Sequence, residues 1–240
     1  MSVISRVDIW GDSILKGVVL DEAAGRYKLL KESAVEAFSR RFSLEIKNHS
    51  RFGCTAPRAL EKMEQMLETG LHTDVVLLEF GGNDCDFNWR EVSDNPDADH
   101  VPNTPITVFT ETMRKMVRAL AARGITPLLM SLPPIDSYRY FDWITKPKEI
   151  CAERILSFLG DKEYIYRHQE LYSLAITRVA LEEGVGFVDV RDAFLRERRL
   201  DELLCADGIH PNEKGQKILR DTFTGYYNKS PRIASLPAHA

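Results

Sequence analysis

Five short apolar runs alternate along the chain with longer segments of helical periodicity, and this alternation limits the fold more than any other feature. The runs are Val3–Trp10, Phe42–Lys47, Asp74–Phe80, Thr126–Leu132 and Gly186–Val190. In the third, Val75, Val76, Leu77 and Leu78 are apolar at consecutive positions, the pattern of a strand buried on both faces. Between the runs lie helical repeats. Leu60, Met63, Met66 and Leu67 end at Gly70; Phe109, Met113, Met116, Val117 and Leu120 follow Thr104 as N-cap and Pro105 in the first turn, with Gly124 as the C-cap. Further helices are predicted over Pro147–Leu159, over Glu163–Glu183, and from Asn212 to about Tyr226. Strand and helix in turn imply a parallel sheet of about five strands covered by helices on both faces. At 240 residues one such domain accounts for the chain, with a boundary near residue 227 and a loosely held tail over 228–240. No internal repeat, linker or low-complexity tract divides it.

Apolar residues at 44% and charged residues at 28% place the chain among globular proteins. A net charge of −4 gives no electrostatic reason to expect nucleic acid as a partner. The apolar runs are far too short to span a bilayer. No charged segment followed by an uninterrupted apolar stretch precedes the first strand, so the expected compartment is the cytoplasm. The four cysteines (Cys54, Cys85, Cys151 and Cys205) show no C-x-x-C spacing, and no metal cluster is expected from them. Three lie beside the motifs described next, where small thiols packed around a site are the expectation.

Ser13 stands in Gly11-Asp12-Ser13, directly after the first run, and Asp207-Gly208-Ile209-His210-Pro211-Asn212 lies near the other end of the chain. A serine hydroxyl becomes a nucleophile when a base removes its proton, and His210 is suited to that task. Asp207, three residues earlier and separated by a flexible glycine, can fold back to hold Nδ1 while Nε2 faces the serine. A third distinctive turn, Gly81-Gly82-Asn83-Asp84, follows the third run. In parallel sheets ligands bind beyond the carboxyl ends of the strands, so these loops are expected on one edge. Alone, each block reads as a turn or a helix entrance; together and in order they point to catalysis.

These blocks resemble those of the GDSL-like, or SGNH, hydrolase family: Gly11-Asp12-Ser13, the Gly-x-Asn-Asp of Gly81–Asp84, and the Asp-x-x-His-Pro of Asp207–Pro211. The family's second block is a single glycine, and Gly53 fills it, since no other glycine lies between Gly25 and Gly70. Ile14 stands where the family signature commonly has leucine. The resemblance runs from the first strand to the last helix. It implies a three-layer α/β/α flavodoxin-like fold and hydrolysis of acyl esters by Ser13, Asp207 and His210 without metal or cofactor. It also implies an oxyanion hole formed by the N–H groups of Ser13 and Gly53 and the amide of Asn83. The chemistry agrees: negative charge gathers on the carbonyl oxygen during attack, and fixed donors aimed at it lower the barrier. A glycine in the middle position keeps a side chain out of that oxygen's approach. Asp12 and Asp84 are read as braces for the loops.

Two long connections on the same edge are expected to set the substrate. Residues 85–103 carry Phe87, Trp89, Asp94, Asp97 and Asp99; residues 132–146 carry Tyr138, Arg139, Tyr140, Phe141 and Trp143. Either the aromatics and Arg139 line a pocket for a polar or sugar-bearing ester, or they close a small satellite core. The acidic residues read as a solvated turn, because the glycine and closing glutamate of a calcium loop are missing. His49, His72, His100, His168 and His239 lack a carboxylate spaced like Asp207 and are expected at the surface or in loops. The expected substrate is a small or medium acyl ester, including an acylated sugar. The alternatives are an acyltransferase or carbohydrate deacetylase with the same triad, a non-catalytic ligand-binding protein, and a metal-dependent phosphoesterase on Asp12, Asp84 and His210.

Overall fold

A computed structural model describes residues 6–230. The chain enters on β1 (Arg6–Trp10), makes a single helical turn α1 (Ser13–Lys16) and an antiparallel ribbon of β2 (Val18–Asp21) and β3 (Arg26–Leu29). There follow α2 (Ala34–Phe42), β4 (Glu45–Asn48), α3 (Ala56–Thr69), β5 (Val75–Leu78), α4 (Trp89–Asp94) and α5 (Ile106–Ala121). The second half runs through β6 (Thr126–Met130), α6 (Ser137–Ile144), α7 (Ala152–Leu159), α8 (Glu163–Glu183), β7 (Gly186–Val188), α9 (Val190–Leu195) and α10 (Glu213–Lys229).

The main sheet has five strands in the order β4-β1-β5-β6-β7, all neighbours parallel. Counted along the chain, that is the flavodoxin-like order 2-1-3-4-5, whose switch point lies between β1 and β5. Val7 pairs with Ile46 on one side and Val75 on the other, so the carboxyl ends of β1 and β5 finish side by side. Strand side chains alternate between two cores. Trp10, Val76, Leu78 and Leu129 face α3, α5 and α8, where Met63, Met113, Met116 and Ile176 are buried. Ile9, Val75, Leu77 and Leu128 face α2 and α10 with Val35, Leu219 and Phe223. The methionines are core filler, as expected from their spacing. The sheet thus buries both faces, which is why its strands read as continuous apolar runs.

All five expected strands exist, trimmed at their ends. The second begins at Glu45, because Phe42 instead closes α2, whose start is fixed by a capping box between Ser33 and Glu36. The first is described only from Arg6. The helix expected over 147–159 begins at Ala152, after a turn that includes Pro147 and Ile150. Thr104 does not cap α5: Pro105 holds that position, while the buried Thr104 gives its side chain to Asp84 and its carbonyl to the Tyr172 hydroxyl. That helix stops at Ala121, ahead of Gly124. α10 continues to Lys229, so the first residues of the expected tail are helical; residues 231–240 lie outside the described residues. Among the described residues no helix is long and apolar enough to cross a membrane.

The two long connections each contain a helix, α4 and α6. With α7 and the start of α8 they form a third core of Phe87, Val92, Tyr140, Phe141, Ile144, Ile155, Leu159 and Ile165. It sits beyond the carboxyl edge of the sheet, where it borders the site.

Candidate active site

β1 ends at Trp10, and the chain must then turn sharply against β5. Gly11 permits this: a Cβ there would lie 2.9 Å from a Glu79 carboxyl oxygen and 3.1 Å from the Glu79 carbonyl. Asp12 is the N-cap of α1, its Oδ1 accepting from the Ile14 N–H at 2.8 Å. Ser13 is consequently the first residue of a helical turn, and its own N–H has no acceptor among the described residues.

The other arm is the turn before α10. Gly208 adopts φ +77°, and a Cβ on it would come within 2.6 Å of the Asp136 carbonyl and 2.7 Å of the Tyr140 N. Glycine is therefore required twice there, by conformation and by the close passage of α6. The turn folds Asp207 back on its own chain: Oδ1 accepts from the N–H groups of Ile209 at 3.0 Å and His210 at 3.1 Å. Its Oδ2 meets His210 Nδ1 at 2.7 Å, and His210 Nε2 lies 2.8 Å from Ser13 Oγ. Ser13, Asp207 and His210 are all buried. Burial alone would raise the Asp207 carboxyl, but the hydrogen bond and charge of His210, with the two N–H groups, outweigh it and hold it below the ordinary value. An ionised acceptor at Nδ1 leaves Nε2 facing the hydroxyl as the proton acceptor.

Asn83 ties the remaining loops together. Its Nδ2 donates to Asp12 Oδ2 at 2.9 Å and to the Cys54 carbonyl at 3.3 Å, so it bridges the serine turn and the loop carrying Gly53. The Gly53 N–H has no acceptor among the described residues. Gly53 has φ +67° and open space where a Cβ would be. Backbone conformation, together with a clear approach, accounts for glycine at this position. Asp84 braces the neighbouring turn by accepting from the Ala56 N–H at 3.0 Å, and burial pushes its carboxyl up to about 6. Both loop aspartates therefore have the bracing role expected of them. Their oxygens are occupied by these contacts and His210 is engaged on both ring nitrogens, so the three do not form a metal ligand set.

Glu79, at the end of β5, is fully buried beneath this edge and accepts weakly from the Asp12 N–H at 3.4 Å. Burial, reinforced by the Asp12 charge, pushes its carboxyl well above the usual carboxylate range. A carboxylic residue after four consecutive apolar positions was the available signal. Tyr27 on β3 and Phe52 cover His210, with ring centroids 4.9 and 6.1 Å away, the Phe52 ring nearly parallel to the imidazole. No periodicity marks Tyr27, because it reaches the site through the β2–β3 ribbon. Cys205 backs this ribbon, its Sγ accepting from the Leu20 N–H at 3.4 Å.

A cavity of about 90 Å³ opens beside Ser13 and His210. Asn83 and Gly82 line it from the sheet edge, Phe87, Trp89 and Tyr140 from the two long connections, and Tyr164 and His168 from α8. Phe87, Trp89 and Tyr140 thus do both things considered for the aromatics of those connections, whereas Phe141 and Trp143 join the satellite core without lining the pocket and Tyr138 is exposed. Arg139 is absent from the lining. Its guanidinium donates to the Asp201 carbonyl at 2.7 Å and lies 3.5 Å from Asp136. His168 also departs from expectation: it is a half-buried helical residue of the pocket wall rather than a surface one. Asp86 accepts from Trp89 Nε1 at 2.8 Å, and burial pushes its carboxyl up to about 6. The α8 wall is fixed by Arg191, which pairs with Glu170 and donates to Gln169 Oε1 at 2.9 Å, while Gln169 donates to the Pro133 carbonyl.

The model of the GDSL-like lipase/acylhydrolase family matches residues 9–218. Among characterised proteins, the isoamyl acetate-hydrolyzing esterase of Saccharomyces cerevisiae is 24% identical over 218 residues, covering 89% of this chain and 82% of that protein. The lipase/acylhydrolase of Enterococcus faecalis superposes with a TM-score of 0.67 at 19% identity, covering 99% of this chain and 100% of the other. The psychrotrophic esterase EstA of Pseudoalteromonas sp. gives a TM-score of 0.60 at 18% identity, covering 94% and 97%.

Proposed function

Because the chain belongs to the GDSL-like lipase/acylhydrolase family, we propose that it is an esterase that cleaves small carboxylic esters through an acyl-enzyme on Ser13. The observation that carries the reading is the unbroken run of hydrogen bonds from Asp207 through His210 to Ser13. Ser13 Oγ attacks the ester carbonyl as its proton passes to His210 Nε2, and Asp207, still ionised, stabilises the imidazolium. The carbonyl oxygen, now negative, accepts from the unpartnered N–H groups of Ser13 and Gly53. Asn83 contributes the hydrogen now resting weakly on the Cys54 carbonyl, while Asp12 keeps the other and holds the amide in place. Collapse expels the alkoxide, which takes the proton from His210; water then repeats the sequence on the acyl-enzyme, releasing acid and restoring Ser13.

The cavity has room for about six water-sized groups, which suits a short acyl or alcohol chain of the size that the yeast relative's name specifies. An acylated sugar fits less well, because Arg139, the cation considered for it, is engaged away from the pocket. Four cysteines without disulfides suit a reducing compartment, and we assign the enzyme to the cytoplasm on that ground. The reading is tested with an alkyl phosphonate and a panel of short esters. Stoichiometric labelling mapped to Ser13, with loss of ester hydrolysis, is expected. Hydrolysis that survives complete labelling, or an adduct on another residue, would overturn the assignment.

A further inference from the structure

His168 is an anomaly in the pocket wall. Its ring packs against Phe87, Tyr164 and Tyr172, with centroids 5.1, 5.6 and 5.5 Å away. A phenylalanine would make all three contacts. The imidazole adds only its two buried nitrogens; the Cys85 backbone carbonyl acts on the ring, but no hydrogen bond of good geometry reaches either nitrogen among the described residues. A buried polar group left unpaired destabilises the fold, and native structures rarely retain one without use. Burial also pushes this imidazole down, so at neutral pH it is uncharged, with one N–H donor and one lone-pair acceptor.

Most of the pocket's other polar side chains are committed. Gln169 is held by Arg191 and Pro133, Asp86 by Trp89, Asn83 by Asp12 and Cys54, and His210 by Ser13 and Asp207. One Glu79 oxygen shares the unpaired state, but it belongs to the carboxyl beside Asp12, under the catalytic loops. The surroundings of His168 are apolar, with Leu159 and Ile165 lining the cavity near it in sequence.

We infer that His168 is a specificity-determining residue that selects esters whose buried chain carries a hydroxyl or ketone over plain alkyl esters of the same shape. The inference rests on the esterase reading and deepens it. A hydrogen-bonding substrate satisfies an imidazole nitrogen that an alkyl chain leaves unpaired. Sites built to bind a substrate oxygen discriminate strongly against the analogue that lacks it, whereas purely hydrophobic pockets discriminate weakly.

Two isosteric pairs of substrates test this on both sides of the scissile bond. On the alcohol side, isoamyl acetate is compared with the ester in which a hydroxyl replaces one branch methyl. On the acyl side, ethyl isocaproate is compared with ethyl levulinate, in which a keto group replaces the branched carbon. In at least one pair, His168→Phe should shift the polar-to-alkyl ratio of kcat/KM toward the alkyl ester by about tenfold or more. Ratios equal to those of the wild type in both pairs would overturn the role of His168. Should the phenylalanine variant not fold, ring nitrogen NMR of His168 in Ser13→Ala protein replaces it. The polar esters should move the His168 resonances and the alkyl esters should not; no movement at saturation with either polar ester is the contrary result. Wild-type protein that hydrolyses none of the four esters and is not labelled at Ser13 removes the esterase reading itself, whereas hydrolysis with unchanged ratios removes only the selectivity.

Discussion

The carboxyl edge of the sheet and the helical wall across the cavity handle polar groups in opposite ways. At the edge, Asp207 takes three hydrogen bonds, Asp12 braces both Ile14 and Asn83, and the groups left free among the described residues are the N–H donors of Ser13 and Gly53 and one buried Glu79 oxygen. On the wall, Asp86 is partly buried with its carboxyl pushed up to about 6, and neither nitrogen of His168 has a hydrogen bond of good geometry among the described residues. Catalysis needs geometry fixed before substrate arrives, so its polar groups are satisfied by the protein. Recognition leaves capacity for the substrate to satisfy. The difference teaches where each kind of function is written: the first in short loops with local hydrogen bonds, the second in side chains brought together by helix packing.

Removing the Ser13 hydroxyl separates the two regions most sharply. Ser13→Ala should reduce kcat/KM on short esters by roughly a thousandfold or more, with ester binding and melting temperature nearly unchanged. Residual activity near that of the wild type in folded variant would mean that the edge is not the reacting region. Asn83→Ala comes next, with kcat expected to fall about a hundredfold and KM much less. The same substitution removes the tie between Asp12 and Cys54, so some thermal stability should be lost as well. Asn83→Asp should be worse, because a carboxylate would face Asp12 in place of a donor. Single-turnover acylation rates on the folded fraction check both, and a normal rate would exclude Asn83 from the oxyanion hole.

The edge was largely legible in the sequence because its determinants are contiguous. Gly11-Asp12-Ser13 and Asp207–His210 each carry their own turn, cap and fold-back, so three or four residues suffice to specify the geometry. Gly53 and Asn83 could be located by position after a strand. The wall was not legible in this way. Tyr27 arrives on a ribbon with no marked alternation, and His168 is an ordinary helical position until α8 packs against Phe87. The capping box of Ser33 and Glu36 was readable but was overshadowed by the apolar run from Phe42, and α2 was missed with it. Arg139 misled for the converse reason: it lies among pocket aromatics in sequence, but a helical periodicity sends it to the other side of α6.

Asp207 and Asp86, one carboxyl from each region, should also respond oppositely to pH. Asp207 is held below its unfolded value, so its ionised form adds stability above about pH 4, and that contribution is lost as the pH falls through the folded value. Asp86 behaves in reverse. Between about pH 4 and 6 the folded protein keeps a proton that the unfolded chain has released, so stability falls as the pH rises across that range. A displacement of about two units corresponds to about 3 kcal/mol. Denaturant titrations at pH 4 and pH 7 should therefore show Asp86→Asn relatively more stable at pH 7, by up to about 3 kcal/mol. Asp207→Asn should be less stable than the wild type at pH 7, with a deficit that shrinks only as the pH falls below about 4. Asp84, also raised to about 6, leaves part of the wild-type decline in place in the Asp86 variant. The same pH dependence in both variants would erase the electrostatic contrast between Asp207 and Asp86.

Arg139 sharpens the boundary between the regions with the smallest expected effect. It belongs to α6, which contributes Tyr140 to the pocket, yet its guanidinium spans Asp136 and the Asp201 carbonyl outside the cavity. Removing it should not change which esters are accepted. It should loosen the contact between α6 and the segment before His210, because the Asp136 N–H also donates to the Gly208 carbonyl at 2.8 Å. The guanidinium is partly exposed, and solvent screens its attraction to Asp136. What Arg139→Ala loses is chiefly one charged hydrogen bond to a carbonyl, about 1 kcal/mol, or about 2–4 °C in melting temperature for a chain of this size. Kinetics on the four esters should keep the wild-type order, with kcat/KM within about threefold, since a shift of 1 kcal/mol in folding leaves the folded fraction nearly complete. A change in ester preference would place Arg139 in recognition after all and move the edge of the pocket to the far side of α6.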